Sequence, residues 1–298
     1  MKKLLKLIYF SKFGNIFRKS ICLALRNRYL PPRYLLHLFY FDGNFAVHID
    51  DQYKFYISHA GRWVENSLFW HNLSDYEPVS LKIWRDACRF SNLILDIGAN
   101  SGLYSLVAKC VNSSSTVYAF EPLEEFSSLI KKNIKLNSYD VRIIESAVSD
   151  VAGLADFYVP QQYQGNIYSS TLSVEHYGKH QQTEPIIHQV NVTTLDNFIE
   201  DNHLGNIDLI KIDAEGHDLN VLRGFVKYLR KMQPDFLIEI QDEYTGQQIR
   251  EILDPITYLY WAINDQSHRI ERTEFLYSVN CRNFLICKQE TAQKLHLL

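Results

Sequence analysis

Hydrophobic and polar positions follow three successive rhythms along the chain. At the start, Leu4, Leu5, Leu7, Ile8, Phe13, Ile16, Phe17, Ile21 and Leu25 recur on one broad helical face with lysines and arginines opposite, the pattern of a basic amphipathic helix. Pro31-Pro32 ends that stretch. From Leu36 to His59 the period shortens to two: Phe45-Ala-Val-His-Ile49 and Tyr53-Lys-Phe-Tyr-Ile57 flank Asp50-Asp51-Gln52, which predicts a β-hairpin. Residues 62–76 are aromatic-rich and partly helical, and 79–90 predict a helix leading into the third rhythm. There, strand-length apolar runs over 93–97, 116–120, 141–146, 207–213 and 236–240 alternate with helical periods over 102–110, 123–136 and 217–230. Such alternation implies an α/β domain whose right-handed crossovers place helices on both faces of a mostly parallel sheet.

Residues 150–191 break this rhythm. Residues 155–159 and 186–192 read as extended, and the polar, tyrosine-rich stretch 161–180 lies between them. An insertion of this length between strands is usually a functional loop or lid. Towards the end, a helix near 245–253 precedes two strand-like runs, 256–263 and 283–288.

The first strand of the α/β part runs into Gly98-Ala-Asn-Ser-Gly102, a glycine-bracketed turn before a helix. In an open parallel sheet such a turn lies at the carboxyl end of the strand, where a ligand's ribose or phosphate can approach bare backbone. The next strand ends in Glu121, placed to accept both hydroxyls of a ribose, so a nucleoside is the expected ligand. A dinucleotide fingerprint would put a glycine at Asn100. Asp96 beside the turn repels a pyrophosphate and suits the ammonium of an amino acid, which S-adenosylmethionine carries.

Composition narrows the class. The chain has 298 residues and a formal net charge of −3, enough length for one large core or two modest ones and without the basic excess of a nucleic-acid binder. The charge is uneven: nine lysines and arginines precede the first acid, Asp42. Residues 1–30 therefore suit contact with an anionic membrane surface, and packing on the rest of the chain or on a partner subunit is the alternative. The five cysteines are scattered and form no Cys-x-x-Cys pair, which indicates reduced buried thiols rather than disulfides or a zinc knuckle. No apolar run reaches the roughly 18–20 residues that span a bilayer. Lys6, Lys12 and the lack of a small-residue cleavage site argue against a secretory signal, so the expected location is cytoplasmic, peripheral at the inner membrane face if residues 1–30 meet lipid.

Five motifs together, in order, carry a family resemblance: Asp96-Ile-Gly-Ala-Asn-Ser-Gly102, Phe120-Glu-Pro122, Ser169-Ser-Thr-Leu172, Thr194-Leu-Asp196 and Ile210-Lys-Ile-Asp-Ala-Glu-Gly216. With them the chain resembles the FkbM family of S-adenosylmethionine-dependent methyltransferases from about Tyr76 to Ile240; before that, only Tyr76-Glu-Pro78 matches. The resemblance implies a Rossmann-like class I methyltransferase fold, with a mostly parallel seven-stranded sheet closed by a hairpin-type last strand pair. The chain then divides into residues 1–78, an N-terminal cap with the basic helix and hairpin, and residues 79–298, the methyltransferase domain. It further implies S-adenosylmethionine as cofactor and, as acceptor, a hydroxyl of a sugar, glycan, glycolipid or secondary metabolite.

An acceptor oxygen must lose its proton as it attacks, so a carboxylate or histidine is needed near the methyl group. Asp213 and Glu215 leave the fourth strand at the ligand-binding edge, and Glu239 ends the fifth. They either bind a divalent cation or, as favoured here, act without metal, one as base while the others fix cofactor and acceptor. Alternatively, Glu215 is a first-turn helix acid and Glu239 a buried partner of Lys211. His217 is a further candidate base. His176 and His180 are spaced like a metal pair, yet with Gly178 between them they read as a solvent-facing loop pair. Asp96, Gly98, Asn100, Gly102, Glu121 and Asp213 would line the cofactor, with Ser146 and Ala147 offering backbone to adenine. A nicotinamide-dependent oxidoreductase and a non-catalytic nucleoside-binding module are the competing functions.

Overall fold

The structure is a computed structural model and describes residues 11–26, 28–29, 31–32, 39–59, 61–161, 170–181 and 183–298. Leu4, Leu5, Leu7, Ile8 and Ser169 lie outside the described residues. The chain divides into two compact units, one holding the described residues up to Tyr76 and the other those from Glu77 on.

In the first unit, α1 (Lys12–Leu25) starts at Ser11, whose hydroxyl accepts a hydrogen bond from the Gly14 N–H at 3.1 Å. Strands β1 (Gly43–His48) and β2 (Lys54–His59) pair antiparallel, as the period-two pattern predicts. Asp50 closes the turn by accepting from the Gln52 and Tyr53 N–H groups. Helix α2 (Trp63–His71) follows. Phe45 packs edge-on against His59 and Phe41 and Phe69 pack tilted against it, and burial pushes the His59 pKa down to about 4. His59 is thus a neutral core residue, its Nε2 satisfied by Asn66.

The second unit opens with α3 (Pro78–Cys88), β3 (Leu93–Ile97), α4 (Leu103–Val111), β4 (Thr116–Phe120), α5 (Glu124–Asn137) and β5 (Val141–Ile144). Then come β6 (Ala147–Val148), β7 (Gly153–Pro160), α6 (Val174–His180), β8 (Pro185–Thr193) and α7 (Leu195–Asp201). The remainder is β9 (Leu209–Ile212), α8 (Asp218–Arg223), α9 (Val226–Met232), β10 (Asp235–Glu239), α10 (Glu243–Leu253), β11 (Leu259–Asn264), β12 (Arg269–Thr273), β13 (Asn283–Cys287) and α11 (Gln289–Lys294). The main sheet has the order β12-β11-β13-β10-β9-β3-β4-β5. Its β5, β4, β3, β9 and β10 are parallel; β13 runs antiparallel between β10 and β11, so β11 regains the common direction and β12 at the edge is again antiparallel. This is the Rossmann-like class I methyltransferase topology, with β12 added at the edge as an eighth strand to the seven expected.

Alternation along the strands sorts the core. Leu95, Ile97, Phe120, Ile210, Ile212, Phe236 and Ile238 face a cluster completed by Leu195, Phe198, Leu222, Phe225, Leu229 and Ile249 from α7 to α10. The intervening positions, which include Asp96 and Lys211, face the other side. There Trp84 of α3 donates its Nε1–H to the Tyr104 carbonyl at 2.9 Å.

Two expectations change. The single helix over 217–230 is split into α8 and α9, because the chain bends at Gly224, where a Cβ would lie 2.1 Å from the Ser149 carbonyl oxygen, and buries Phe225. The insertion over 150–191 is not merely a loop: β7 and β8 form a long antiparallel hairpin that joins β6 in a separate three-stranded sheet. Gly224→Ala is therefore expected to cost about 1–3 kcal/mol, whereas Gly205→Ala, with nothing within 4 Å of the added methyl, leaves the thermal midpoint nearly unchanged. Thermal unfolding of the two variants checks this.

Candidate active site

The turn after β3 is held open by backbone geometry. Gly98 has φ 78°, and a Cβ there would lie 1.9 Å from the Asp213 carbonyl oxygen, so the exit of β9 passes directly against it. Asn100 adopts φ 50°, a left-handed conformation asparagine tolerates, and Gly102 adopts φ 80° under Ile130. The Gly98 and Ala99 N–H groups both donate to the Phe120 carbonyl, at 3.1 and 3.0 Å, which ties the turn to the end of β4.

Glu121 completes that tie. Its two carboxylate oxygens accept from the Asn100 N–H at 2.9 Å and the Leu123 N–H at 3.1 Å. Burial pushes its carboxyl up to about 8, opposed by those two donors and reinforced by Asp96. Asp96 and Glu121 therefore share one electrostatic environment. Asp96 is 1% exposed and turned to the start of α4, accepting from the Ser105 N–H at 2.9 Å and the Ser105 hydroxyl at 2.6 Å. Burial raises its pKa, with Lys211 and Ser105 opposing.

Lys211 stands beside Asp96 in the β3–β9 register. Its ammonium bonds Asp213 at 2.7 Å and lies 4.3 Å from the centre of the Tyr104 ring. Burial alone would lower its pKa, but Asp213, Glu77 and Asp96 outweigh that and hold it raised. The Tyr104 hydroxyl donates to Glu77 at 2.6 Å, and Asn283 donates to the other Glu77 oxygen at 3.2 Å. Lys211 is thus the paired, buried lysine of the sequence reading, and its partner is Asp213 rather than Glu239.

Beyond β9 the chain doubles back through Glu215 (φ 49°) and Gly216 (φ 80°). Asp218 secures this turn, accepting from the Ala214 N–H at 2.8 Å and the Gly216 N–H at 3.2 Å, and burial pushes its carboxyl up to about 7. Glu215 is raised well above the usual carboxylate range by burial and by Asp213, Glu239 and Asp218. Glu239 accepts from the Gln241 amide at 3.0 Å and lies 3.9 Å from the Arg282 guanidinium; burial, Asp213 and Asp218 push it up to about 8.

Other candidates fall differently. His217 is turned away from this cluster: its Nε2 lies 2.8 Å from the Ser149 hydroxyl, which itself donates to Asp150, and burial lowers its pKa. Ala147 is buried in β6, and Ser146 precedes it half-buried. His176 is not solvent-facing. It sits in α6, 9% exposed, its Nε2 3.8 Å from Glu215 and its ring over Gly216, where a Cβ would lie 2.4 Å from Nδ1. Thr171 of the family-like element, fully buried, donates to the Glu215 carbonyl at 2.8 Å and so docks on the same turn. Isolated histidine spacing carried no sign of this packing; the glycine at 216 was the available clue. Glu77 was visible only as part of Tyr76-Glu-Pro78.

Among the described residues no group of three or more His, Cys, Asp or Glu side chains is arranged to hold a metal ion. A cleft of about 820 Å³ between α10 and β11–β12 shares no residue with the carboxylate cluster.

A glycine-bracketed turn at the strand tips of a sheet of this order defines a Rossmann-like scaffold. The chain belongs to the FkbM methyltransferase domain family, whose model matches residues 96–271. It is 28% identical over 144 residues to Methyltransferase 1 of Beauveria bassiana, covering 45% of this chain and 58% of that protein. It is 28% identical over 169 residues to 2-O-methyltransferase NoeI of Sinorhizobium fredii, covering 53% and 65%, and 25% identical over 181 residues to 31-O-demethyl-FK506 methyltransferase FkbM of Streptomyces tacrolimicus, covering 51% and 70%. The chain thus spans less than two thirds of the first two of these relatives.

The raised carboxyls have a stability consequence. Folded Glu121 and Glu239 keep their protons to about 8 and Asp218 to about 7, while unfolded carboxyls release theirs near 4. Folding takes up protons between these values, so this contribution is full on the acid side and is lost as pH rises through the folded pKa values. The thermal midpoint of the ligand-free protein is expected to fall between about pH 5 and 8, and Glu239→Gln to flatten that slope, as read by scanning calorimetry.

Proposed function

We propose that the protein is an S-adenosylmethionine-dependent O-methyltransferase whose acceptor is a hydroxyl of a sugar, glycan, glycolipid or secondary metabolite. The observation that carries this reading is the excess of carboxylates over cations at the strand tips. Glu77, Asp96, Asp213, Glu215, Asp218 and Glu239 are linked electrostatically around Lys211. Such a rim favours a positively charged ligand and disfavours a pyrophosphate.

The residues fit the donor. Glu121, fixed by two backbone N–H groups, keeps lone pairs on both oxygens for ribose hydroxyls. Asp213 at the rim would take the ammonium, with Asp96 contributing its charge from the wall behind. The bound cofactor supplies a methyl group already activated by its sulfonium. The protein's tasks are then to align the acceptor oxygen, exclude water and take a proton.

Glu239 suits the last task. Its side chain is 14% exposed, so it borders both solvent and the cluster, and its pKa near 8 brings it close to the working range of a general base. A positive charge brought to the rim favours its ionised form. Glu215 and Asp213 hold neighbouring places and position what Glu239 deprotonates. Methylation at oxygen is carried over from the names of the NoeI and FkbM relatives.

S-adenosylhomocysteine is expected to raise the thermal midpoint and NAD to leave it unchanged; stabilisation by NAD alone would mark an oxidoreductase. Glu239→Gln should lower kcat by about 10²-fold or more while keeping the S-adenosylhomocysteine shift. Mass spectrometry of glycans and lipids from cells with and without the gene should show a gain of about 14 Da, one CH₂, on the acceptor. Binding of S-adenosylhomocysteine with no methyl transfer to any glycan, lipid or metabolite pool would leave only a binding module.

A further inference from the structure

Helix α1 packs with an unusual side inward. Arg18 is 4% exposed: its Nε donates to the Tyr40 carbonyl at 2.9 Å, and its guanidinium lies over the Tyr40 ring at 5.3 Å. Two turns later Arg26 donates to the Ala46 carbonyl at 2.9 Å and stacks on Phe69 and Phe45, at 4.7 and 5.4 Å from the ring centres. Cys22 is buried between these two positions on the same side. Two guanidinium groups thus hold the helix, Arg18 to Tyr40 and Arg26 to the hairpin.

Three large apolar side chains are left outside, while Ile21 and Leu25 are half-buried. Ile16 is 67% exposed, Phe17 64% and Leu23 48%, with Ser20 and Ala24 exposed between them. Positions 16, 17, 20, 23 and 24 share one helical face, so these side chains form a continuous strip along a helix about 21 Å long. Soluble monomers seldom leave such a strip in water without a partner for it.

Charge selects the partner. No acid precedes Asp42, whereas Lys2, Lys3, Lys6, Lys12, Lys19 and Arg28 accompany Arg18 and Arg26 in the same stretch of sequence, the Lys19 ammonium lying 5.8 Å from the centre of the Phe41 ring. An apolar strip flanked by cations and lacking acids complements an interface of hydrocarbon beneath anionic headgroups. Among the described residues no helix is long and apolar enough to cross a membrane. We propose that α1 lies in the plane of an anionic lipid surface, with Ile16, Phe17 and Leu23 inserted at the acyl boundary and the flanking lysines and arginines at the headgroups.

Co-sedimentation of the full chain with phosphatidylcholine vesicles, with and without phosphatidylglycerol, tests this. Binding is expected only to the anionic vesicles, weakening as salt is raised. The double variant Ile16→Asp with Phe17→Asp should bind at least tenfold more weakly while keeping its thermal midpoint, because both side chains are exposed. Leu154→Asp, at an equally exposed apolar position on β7, should bind as the parent does. A polarity-sensitive dye on Ser20→Cys should shift to the blue on anionic vesicles. Equal binding by the double variant, binding to neutral vesicles alone, or no binding would overturn the proposal. So would a parent dimer that the double variant converts to monomer, since a second copy would then cover the strip.

Discussion

One ammonium group organises the strand tips. Lys211 sits in the register position beside Asp96, on the side of the sheet where the neighbouring positions along β3, β4 and β9 are otherwise apolar. Its charge is buried, so it requires anions close by, and Asp213, Glu77 and Asp96 answer it. Six carboxylates around one lysine leave the cluster short of positive charge. Burial, reinforced by that imbalance, raises the pKa values of Glu215, Asp218 and Glu239, and the proposed preference of the rim for a cationic ligand rests on the same shortage. Replacing Lys211 would leave buried acids without their counter-ion, which is why Lys211 governs the carboxylates around it.

Backbone geometry supplies the second constraint. The carbonyl of Asp213 reaches the space a side chain at position 98 would fill. The first and fourth parallel strands of the sequence pattern therefore meet at their ends as bare backbone, and the Asp213 N–H donates to the Ile97 carbonyl at 3.1 Å there. Glycine at 98 is needed for this contact as much as for any ligand. The same logic recurs at Gly216 beneath His176 and at Gly224 beside Ser149. In each case a missing side chain marks where two segments cross.

How much of this was legible depended on whether the signal was local. The five parallel strands, the glycine turn and the placement of Glu121 follow from period and spacing, because a buried strand and a positive-φ turn each constrain their own few residues. The break at Gly224 was hidden, since a helical hydrophobic period continues across it and the clash that requires glycine comes from Ser149, 75 positions away. His176 was misread for a similar reason: its partner is a turn on another strand, and nothing in the spacing to His180 announces that. The edge strand β12, Arg-Ile-Glu-Arg-Thr, is too polar to register as a strand and forms because β11 offers it an open edge. His217, next to the acidic turn in sequence, points instead to Ser149, so adjacency along the chain overstated adjacency in space.

Asn283 has a consequence for how the molecule comes into being. This one amide touches Glu77, at the opening of the unit, and Asp265, whose carboxylate also holds the Val79 and Ser80 N–H groups and the Ser80 hydroxyl. The first and nearly the last segments of the unit are therefore clasped at one point beside the carboxylates. During synthesis the parallel strands leave the ribosome well before β13 does, so Glu77 waits for a partner encoded some two hundred codons downstream. The scaffold can collapse early, but the rim becomes complete only once Asn283 has been made and β13 has joined the sheet.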